Sequence, residues 1–264
     1  MSNKSRKNSK IADCCIGNRN TGKTCNKKTT VKSGDVIEVN IPDPVNLSVE
    51  AEDIPLDILY EDADITVCIK PVGIGSEDSP TEKGIIGLLS ERARKPLHLL
   101  HRLDRNVGGV MVFANNKKSA ATLSKAIAES KLKKEYLAVL DGIPEEKSAT
   151  LKDLLFKDSR KNRSYVVNRM RKGVKDASLE YEVIGEAGNK ALVHVLLHTG
   201  RTHQIRVQFS SRNMPLVGER KYCTLEDPCE IALWSHRIAF THPGTGKRVE
   251  FTQEPPDCYP WTEV

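Results

Sequence analysis

Between residues 56 and 209 this sequence carries one stretch of helical periodicity, with short strand-like runs on both sides of it. The helical stretch is Lys117–Ser130, where Ala121, Leu123, Ile127 and Ala128 recur at near-helical spacing. Before it, Leu56–Tyr60 and Ile65–Lys70 read as strands around the acidic turn Glu61-Asp62-Ala63-Asp64. Gly109–Ala114 reads as a short buried strand. After the helix come strands at Glu135–Asp141, Ala177–Ile184, Ala191–His198 and Gln204–Phe209. A strand, a helix and then several strands joined by turns predict an α+β fold dominated by antiparallel pairing.

The N-terminal region is of another kind. Residues 1–34 hold nine Lys/Arg and one acidic residue, whereas the remaining 230 residues hold 32 basic and 34 acidic ones, so the excess of the +6 net charge lies at the N-terminus. Thr29–Val31 and Val36–Val39 read as two strands about a Ser33-Gly34-Asp35 turn, and the prolines of Ile41-Pro42-Asp43-Pro44 mark a boundary. The expected division is therefore a basic segment 1–44 and a main domain 45–264. A second basic cluster, Lys157–Lys175, sets eight Lys/Arg against Asp158 alone, while residues 49–64 hold seven acidic groups and no basic one. Basic strips of this sort attract phosphate backbones.

With 264 residues, 38% hydrophobic and 29% charged, the chain reads as globular. No run approaches the roughly 20 apolar residues of a membrane span, and the basic N-terminus is not followed by the apolar stretch of a secretory signal. A cytoplasmic monomer with no membrane partner is expected. The seven cysteines form no C-x-x-C pair, which argues against a disulfide framework and a structural zinc site, so no metal is expected.

Gly17-Asn18-Arg19-Asn20-Thr21-Gly22-Lys23-Thr24 satisfies the pattern of a phosphate-binding loop. Such a loop needs a helix after it, and Cys25–Val31 is too short and too β-branched to supply one. A nucleotide triphosphatase is a poor reading.

Leu99–Gly109 is more promising. It places Asp104 between Arg102 and Arg105 ahead of two glycines, where flanking cations would keep a nucleophilic carboxylate ionised. Taken alone, a surface ion pair would explain the same residues. Tyr136, in Lys134-Glu135-Tyr136-Leu137-Ala138, opens a strand and is placed to stack on a base, although an ordinary half-buried strand tyrosine fits as well. Leu197–Arg206 concentrates His198, Thr199, Arg201, His203, Gln204 and Arg206 behind an apolar strand, with Gln204 and Arg206 expected on one strand face.

Taken together and in order, HRLD…GG, KEYLA and TGRTHQIR closely resemble the RluA-type pseudouridine synthases. Ile58–Gly73 and Pro215–Tyr222 resemble the same family, so the likeness runs from about residue 50 to the C-terminus. The resemblance implies a mixed, mainly antiparallel β-sheet with flanking helices and a central cleft. It implies that a uridine of ribosomal or transfer RNA is isomerised to pseudouridine without a cofactor. In that likeness Asp104 is the nucleophile, Tyr136 stacks on the target base and assists proton removal, and Arg206 pairs with the carboxylate. Arg102 would contact RNA, with Arg105, Arg201, His203 and Gln204 beside it. Two features depart from the pattern. Val107-Gly108 stands where the family usually has Thr-Ser, and residues 1–44 resemble only the second half of an S-four-like RNA-binding module, without its two opening helices. An alternative is a catalytically inactive RNA-binding or ribosome-assembly protein on the same scaffold.

Overall fold

A computed structural model describes residues 56–224 and 229–264, together with three short strands nearer the N-terminus. The chain divides into two compact units, residues 1–48 and 49–264.

In the first unit, β1 (Ile16–Asn18) pairs antiparallel with both β2 (Lys23–Cys25) and β3 (Ile37–Val39). Lys23 therefore opens a strand where a phosphate loop would open a helix, and the motif match at Gly17–Thr24 is incidental. Of the expected strand-turn-strand, Ile37–Val39 is strand, while residues 29–36 and the boundary at 41–44 lie outside the described residues.

The second unit is built on one mixed sheet. Its strands in chain order are β4 (Asp57–Glu61), β5 (Ile65–Lys70), β6 (His98–Leu99), β7 (Gly108–Ala114), β8 (Lys133–Asp141), β9 (Ser148–Asp158), β10 (Arg163–Val167), β11 (Val174–Ala187), β12 (Lys190–Leu197), β13 (Leu233–Thr241) and β14 (Arg248–Thr252). They run in the order β10-β9-β11-β12-β8-β13-β7-β5-β4, with β14 on β13 and β6 on β7. Every pairing is antiparallel except β7 with β13. The α+β, mainly antiparallel expectation holds.

Burial follows position. All seven residues of β7 are buried, as befits a central strand covered on both faces. Strand β12 alternates residue by residue, because one of its faces looks outward. The parallel crossing of β7 with β13 demands glycine: a Cβ on Gly109, at φ +114°, would lie 2.2 Å from the Ser235 carbonyl oxygen, and one on Gly108 would lie 2.4 Å from the Trp234 ring.

Among the described residues three α-helices flank the sheet: α1 (Ile85–Arg92), α2 (Lys117–Ala128) and α3 (Gln204–Ser210). None is long and apolar enough to cross a membrane. The last corrects the reading of Gln204–Phe209 as a strand. Polar Gln204, Arg206 and Gln208 alternate with apolar Ile205, Val207 and Phe209, which imitates a half-buried strand, yet all six are buried in the helix. Period-two alternation carries no facing information where every face is enclosed.

Candidate active site

The loop that carries Asp104 is pinned from below by side chains. Ser76 Oγ donates to the Leu103 carbonyl (2.8 Å) and accepts from the Leu103 amide (2.9 Å). Lys70, fully buried at the end of β5, donates to the carbonyls of Pro71, Ile74 and Arg105. Burial pulls its ammonium down to about 8, against the opposing pull of the Asp104 charge. The amide of Val107 closes a turn on the Asp104 carbonyl at 3.0 Å. Val107 itself is buried, so an apolar side chain fits where the family usually has a hydroxyl.

Arg102 and Arg105 do not hold the Asp104 carboxylate, contrary to the expectation from their neighbouring positions. Arg102 pairs with Glu77 (2.6 Å) and Arg105 with Glu82 (2.5 Å), all four side chains being largely exposed. The cation on Asp104 comes from α3, 102 residues away in sequence: Arg206 Nη1 donates to Asp104 Oδ2 at 2.9 Å. Gln204 and Arg206 diverge on the helix instead of sharing a strand face. Gln204 accepts from the Arg201 amide and the Thr199 hydroxyl and donates to the Ser178 carbonyl, so its amide shapes the 199–204 loop.

Arg206 serves two carboxylates of different character. Its Nε and Nη2 bind both oxygens of Glu219, at 2.7 and 2.8 Å, and the Glu219 side chain is wholly inaccessible. The amides of Lys221 and Tyr222 also donate to Glu219. Burial works against ionisation of Glu219, but Arg206 and those amides outweigh it and hold the carboxyl below its ordinary range. Burial likewise opposes the charge of Arg206, and its two carboxylates raise it above the usual arginine range. Asp104 is different. Its side chain is 28% exposed, and Oδ1 has no partner among the described residues. One oxygen is anchored and the other faces open space, which is the arrangement a nucleophilic carboxylate needs.

That space is a cleft of about 670 Å³ whose lining includes Asp104, Tyr136, Arg102, Arg201, His203 and Gln204. A second cleft, of about 890 Å³, meets it at Asp104, His203 and Arg206 and takes in Arg105. Tyr136 is 5% exposed on β8; burial first, and the Asp104 charge second, push its hydroxyl above the ordinary tyrosine range. His203 adopts a left-handed conformation (φ 54°, ψ 28°) that caps α3. Its Nδ1 lies 2.8 Å from the Tyr222 hydroxyl and its Nε2 3.8 Å from Asp104 Oδ2. Burial lowers the His203 pKa, opposed by Asp104 and assisted by Arg206.

Glu219, Tyr222 and Lys70 are parts of this site that residue-type reasoning missed. Glu219 and Tyr222 lie in the Pro215–Tyr222 block and Lys70 in the Ile58–Gly73 block, so family resemblance was the available signal. Away from the cleft, Asp62, Asp64 and His242 bring three potential metal ligands together. Nδ1 of His242 accepts from the amides of Gly244 and Thr245, which leaves the ring proton on Nε2, 3.0 Å from Asp62 Oδ2. With Nδ1 taken up by two amides, the ring offers these carboxylates a protonated Nε2 and not a free lone pair, which does not suit a metal ligand.

Comparisons with known proteins agree on one family. The model for RNA pseudouridylate synthase matches residues 64–211. An uncharacterized RNA pseudouridine synthase of Aquifex aeolicus is 30% identical, covering 88% of this chain and 81% of that protein. The ribosomal large subunit pseudouridine synthase D of Zymomonas mobilis is 28% identical over 93% of this chain and 84% of its own length. Among solved structures, human RNA pseudouridylate synthase domain containing 1 shares the fold, with a TM-score of 0.65 and 24% identity over 76% of this chain and 84% of that one. A family match across more than half of the sequence, on a sheet and cleft of this form, means that the chain belongs to the RNA pseudouridylate synthases, in their RluA-type branch, and is an isomerase.

Proposed function

We propose that the protein isomerises a specific uridine of ribosomal or transfer RNA in the cytoplasm, with Asp104 as nucleophile and no cofactor. The observation that carries this reading is the asymmetry at Arg206: it holds a buried, saturated Glu219 on one side and an accessible Asp104 with a free oxygen on the other. The bond between uracil N1 and ribose C1′ breaks, the base turns, and C5 takes the place of N1. C5 loses a proton, N1 gains one, and nothing is oxidised or hydrolysed.

Tyr136 stacks on the uracil and assists removal of the C5 proton from its place beside Asp104 in the cleft. Arg206 orients Asp104. The target nucleotide must leave its stack, at a cost of a few kcal/mol that backbone contacts offset. Arg102, Arg105 and Arg201 supply such contacts at the rims of the two clefts, and His203 and Gln204 shape the wall between them. Residues 45–264 form the catalytic domain, and the basic segment 1–44 adds affinity for RNA.

Pseudouridine has the mass of uridine, so carbodiimide tagging is the assay. Mapping a deletion strain against its parent should show one or a few lost sites, restored by the wild-type gene and not by Asp104→Asn. Restoration by Asp104→Asn would refute the nucleophile and favour an RNA-binding role.

A further inference from the structure

Three lysine and arginine side chains are buried among the described residues: Lys70, Lys134 and Arg206. Lys70 donates to three carbonyls and Arg206 holds two carboxylates. Lys134 is 9% exposed, and its ammonium has no acceptor among the described residues. Desolvation lowers its pKa and nothing in the fold counteracts that. The stem is buried while the ammonium opens onto the cleft, and a largely desolvated cation kept there without a protein partner is placed to meet a ligand group.

Its position says what. Lys134 and Tyr136 are two apart on β8 and face the same way, and both line the inner cleft with Asp104. The ammonium lies against the loop that leaves the neighbouring strand β12 and lines the same cleft: a Cβ on Gly200 would lie 3.2 Å from Lys134 Nζ. The other arginines are placed differently: Arg206 is neutralised by its two carboxylates, while Arg102, on an exposed Glu77, and Arg201, on the Asp176 carbonyl, lie at the rim where the backbone contacts are proposed. His101, on the same lining, is lowered to about 3 by burial and by Lys134, so it adds no charge. Lys134 is the cation of the inner cleft that is both buried and uncommitted.

We infer that Lys134 is a further catalytic residue, which donates a hydrogen bond to O2 or O4 of the departing uracil and so stabilises the anion formed when the glycosidic bond breaks. This rests on the proposed isomerisation. When N1–C1′ breaks heterolytically, the electron pair stays on N1 and spreads to O2 and O4, while C1′ accepts an electron pair from Asp104. The new negative charge appears in the cleft where Leu99, Leu103, Tyr136 and Leu233 stand beside the polar 198–204 loop, and a partly desolvated ammonium acts more strongly there than in bulk water. The neutral uridine offers that ammonium much less than the anion does, so the interaction is made mainly in the transition state.

The test is Lys134→Met, which keeps length and removes charge, with Asp104→Asn as reference. On the RNA identified by the mapping experiment, kcat at saturation should fall at least about a hundredfold, while KM and the RNA Kd stay within about twofold. The Met variant should also melt at or above the wild-type temperature, because a partly desolvated, unpaired charge has left the cleft wall. A rise in KM with kcat unchanged would place Lys134 on a backbone phosphate and overturn the proposal. So would unchanged kinetics, or a lowered melting temperature, which would reveal a structural partner. If Asp104→Asn keeps its turnover, the nucleophile assignment fails; if Lys134→Met alone keeps it, only this inference fails.

Discussion

The two carboxylates on Arg206 make a sharp prediction, because they are held by one guanidinium and differ in what they are for. In Glu219→Gln, a buried acceptor pair becomes one acceptor and one donor, and an amide NH₂ is pushed against an Arg206 N–H at a position where the native contacts are 2.7 and 2.8 Å. Removing one partner of a buried pair costs about 3–5 kcal/mol. Asp104 remains on Nη1 as a partial counter-charge, so the lower end applies, about 3 kcal/mol. For a domain of this size that corresponds to a fall of roughly 6–12 °C in melting temperature. Asp104→Asn should behave in the opposite way. Its amide oxygen can still accept from Nη1, the position is partly solvated, and the stability loss should be about 1 kcal/mol or less, with activity abolished. The pH dependence separates them further. Glu219 has a folded pKa below its unfolded value of about 4.3, so its contribution is complete above that pH and is lost as pH falls through the folded value. Urea denaturation at pH 7 and pH 3 should show the wild type converging on the Glu219→Gln variant in acid. Equal stability of the wild type and Glu219→Gln at pH 7, or a larger loss in Asp104→Asn, would refute this division of roles.

Three further outcomes follow from the fold. Gly109→Ala would place a methyl 2.2 Å from the Ser235 carbonyl oxygen in a backbone conformation of φ +114°, so expression should yield little folded protein, read by circular dichroism; normal melting would contradict the close approach. Arg163 lines the second cleft and lies 4.9 Å from the centre of the Tyr222 ring, with no carboxylate partner among the described residues. Arg163→Ala should weaken RNA binding and lower the slope of log Kd against log salt by about 0.7–0.9, and an unchanged slope would exclude a phosphate contact. Removing residues 1–40 should weaken RNA affinity and flatten its salt dependence more strongly, since the excess positive charge lies there.

How much of this was legible depends on where each residue's partner lies. Ile65–Lys70 was readable because a short apolar run between turn residues has few other uses. Helix α2 was readable because Asn116 caps it and its apolar residues recur on one face. Helix α1 was not: its N-cap is Gly84, with no side chain to announce a start, and the capping carboxylate comes from Asp78, which accepts from the Gly84 amide. The β9–β10 hairpin was hidden by its basic, half-exposed composition, in which strand and solvated loop look alike. At the site, the chemistry types could be named from the sequence, but their pairing could not. Nothing local predicts that Asp104 passes over two adjacent arginines for one 102 residues away; only the family resemblance brought those motifs together.

That preference has a physical reason. An arginine beside Asp104 in sequence would be as mobile as the loop and as solvated as its rim, and such a pair contributes little. Arg206 is fixed in a buried helix by Glu219, so its third nitrogen is a stationary point against which a carboxylate can be aimed. The loop is fixed independently, through the Leu103 and Arg105 carbonyls held by Ser76 and Lys70. As the proposed nucleophile, Asp104 would therefore lose little freedom on meeting a substrate, because its backbone and one oxygen are already immobilised. Lys134, as inferred above, extends the same logic within the cleft. The fold bears the cost of a desolvated cation in the resting state so that the cleft need not reorganise when negative charge develops on the base.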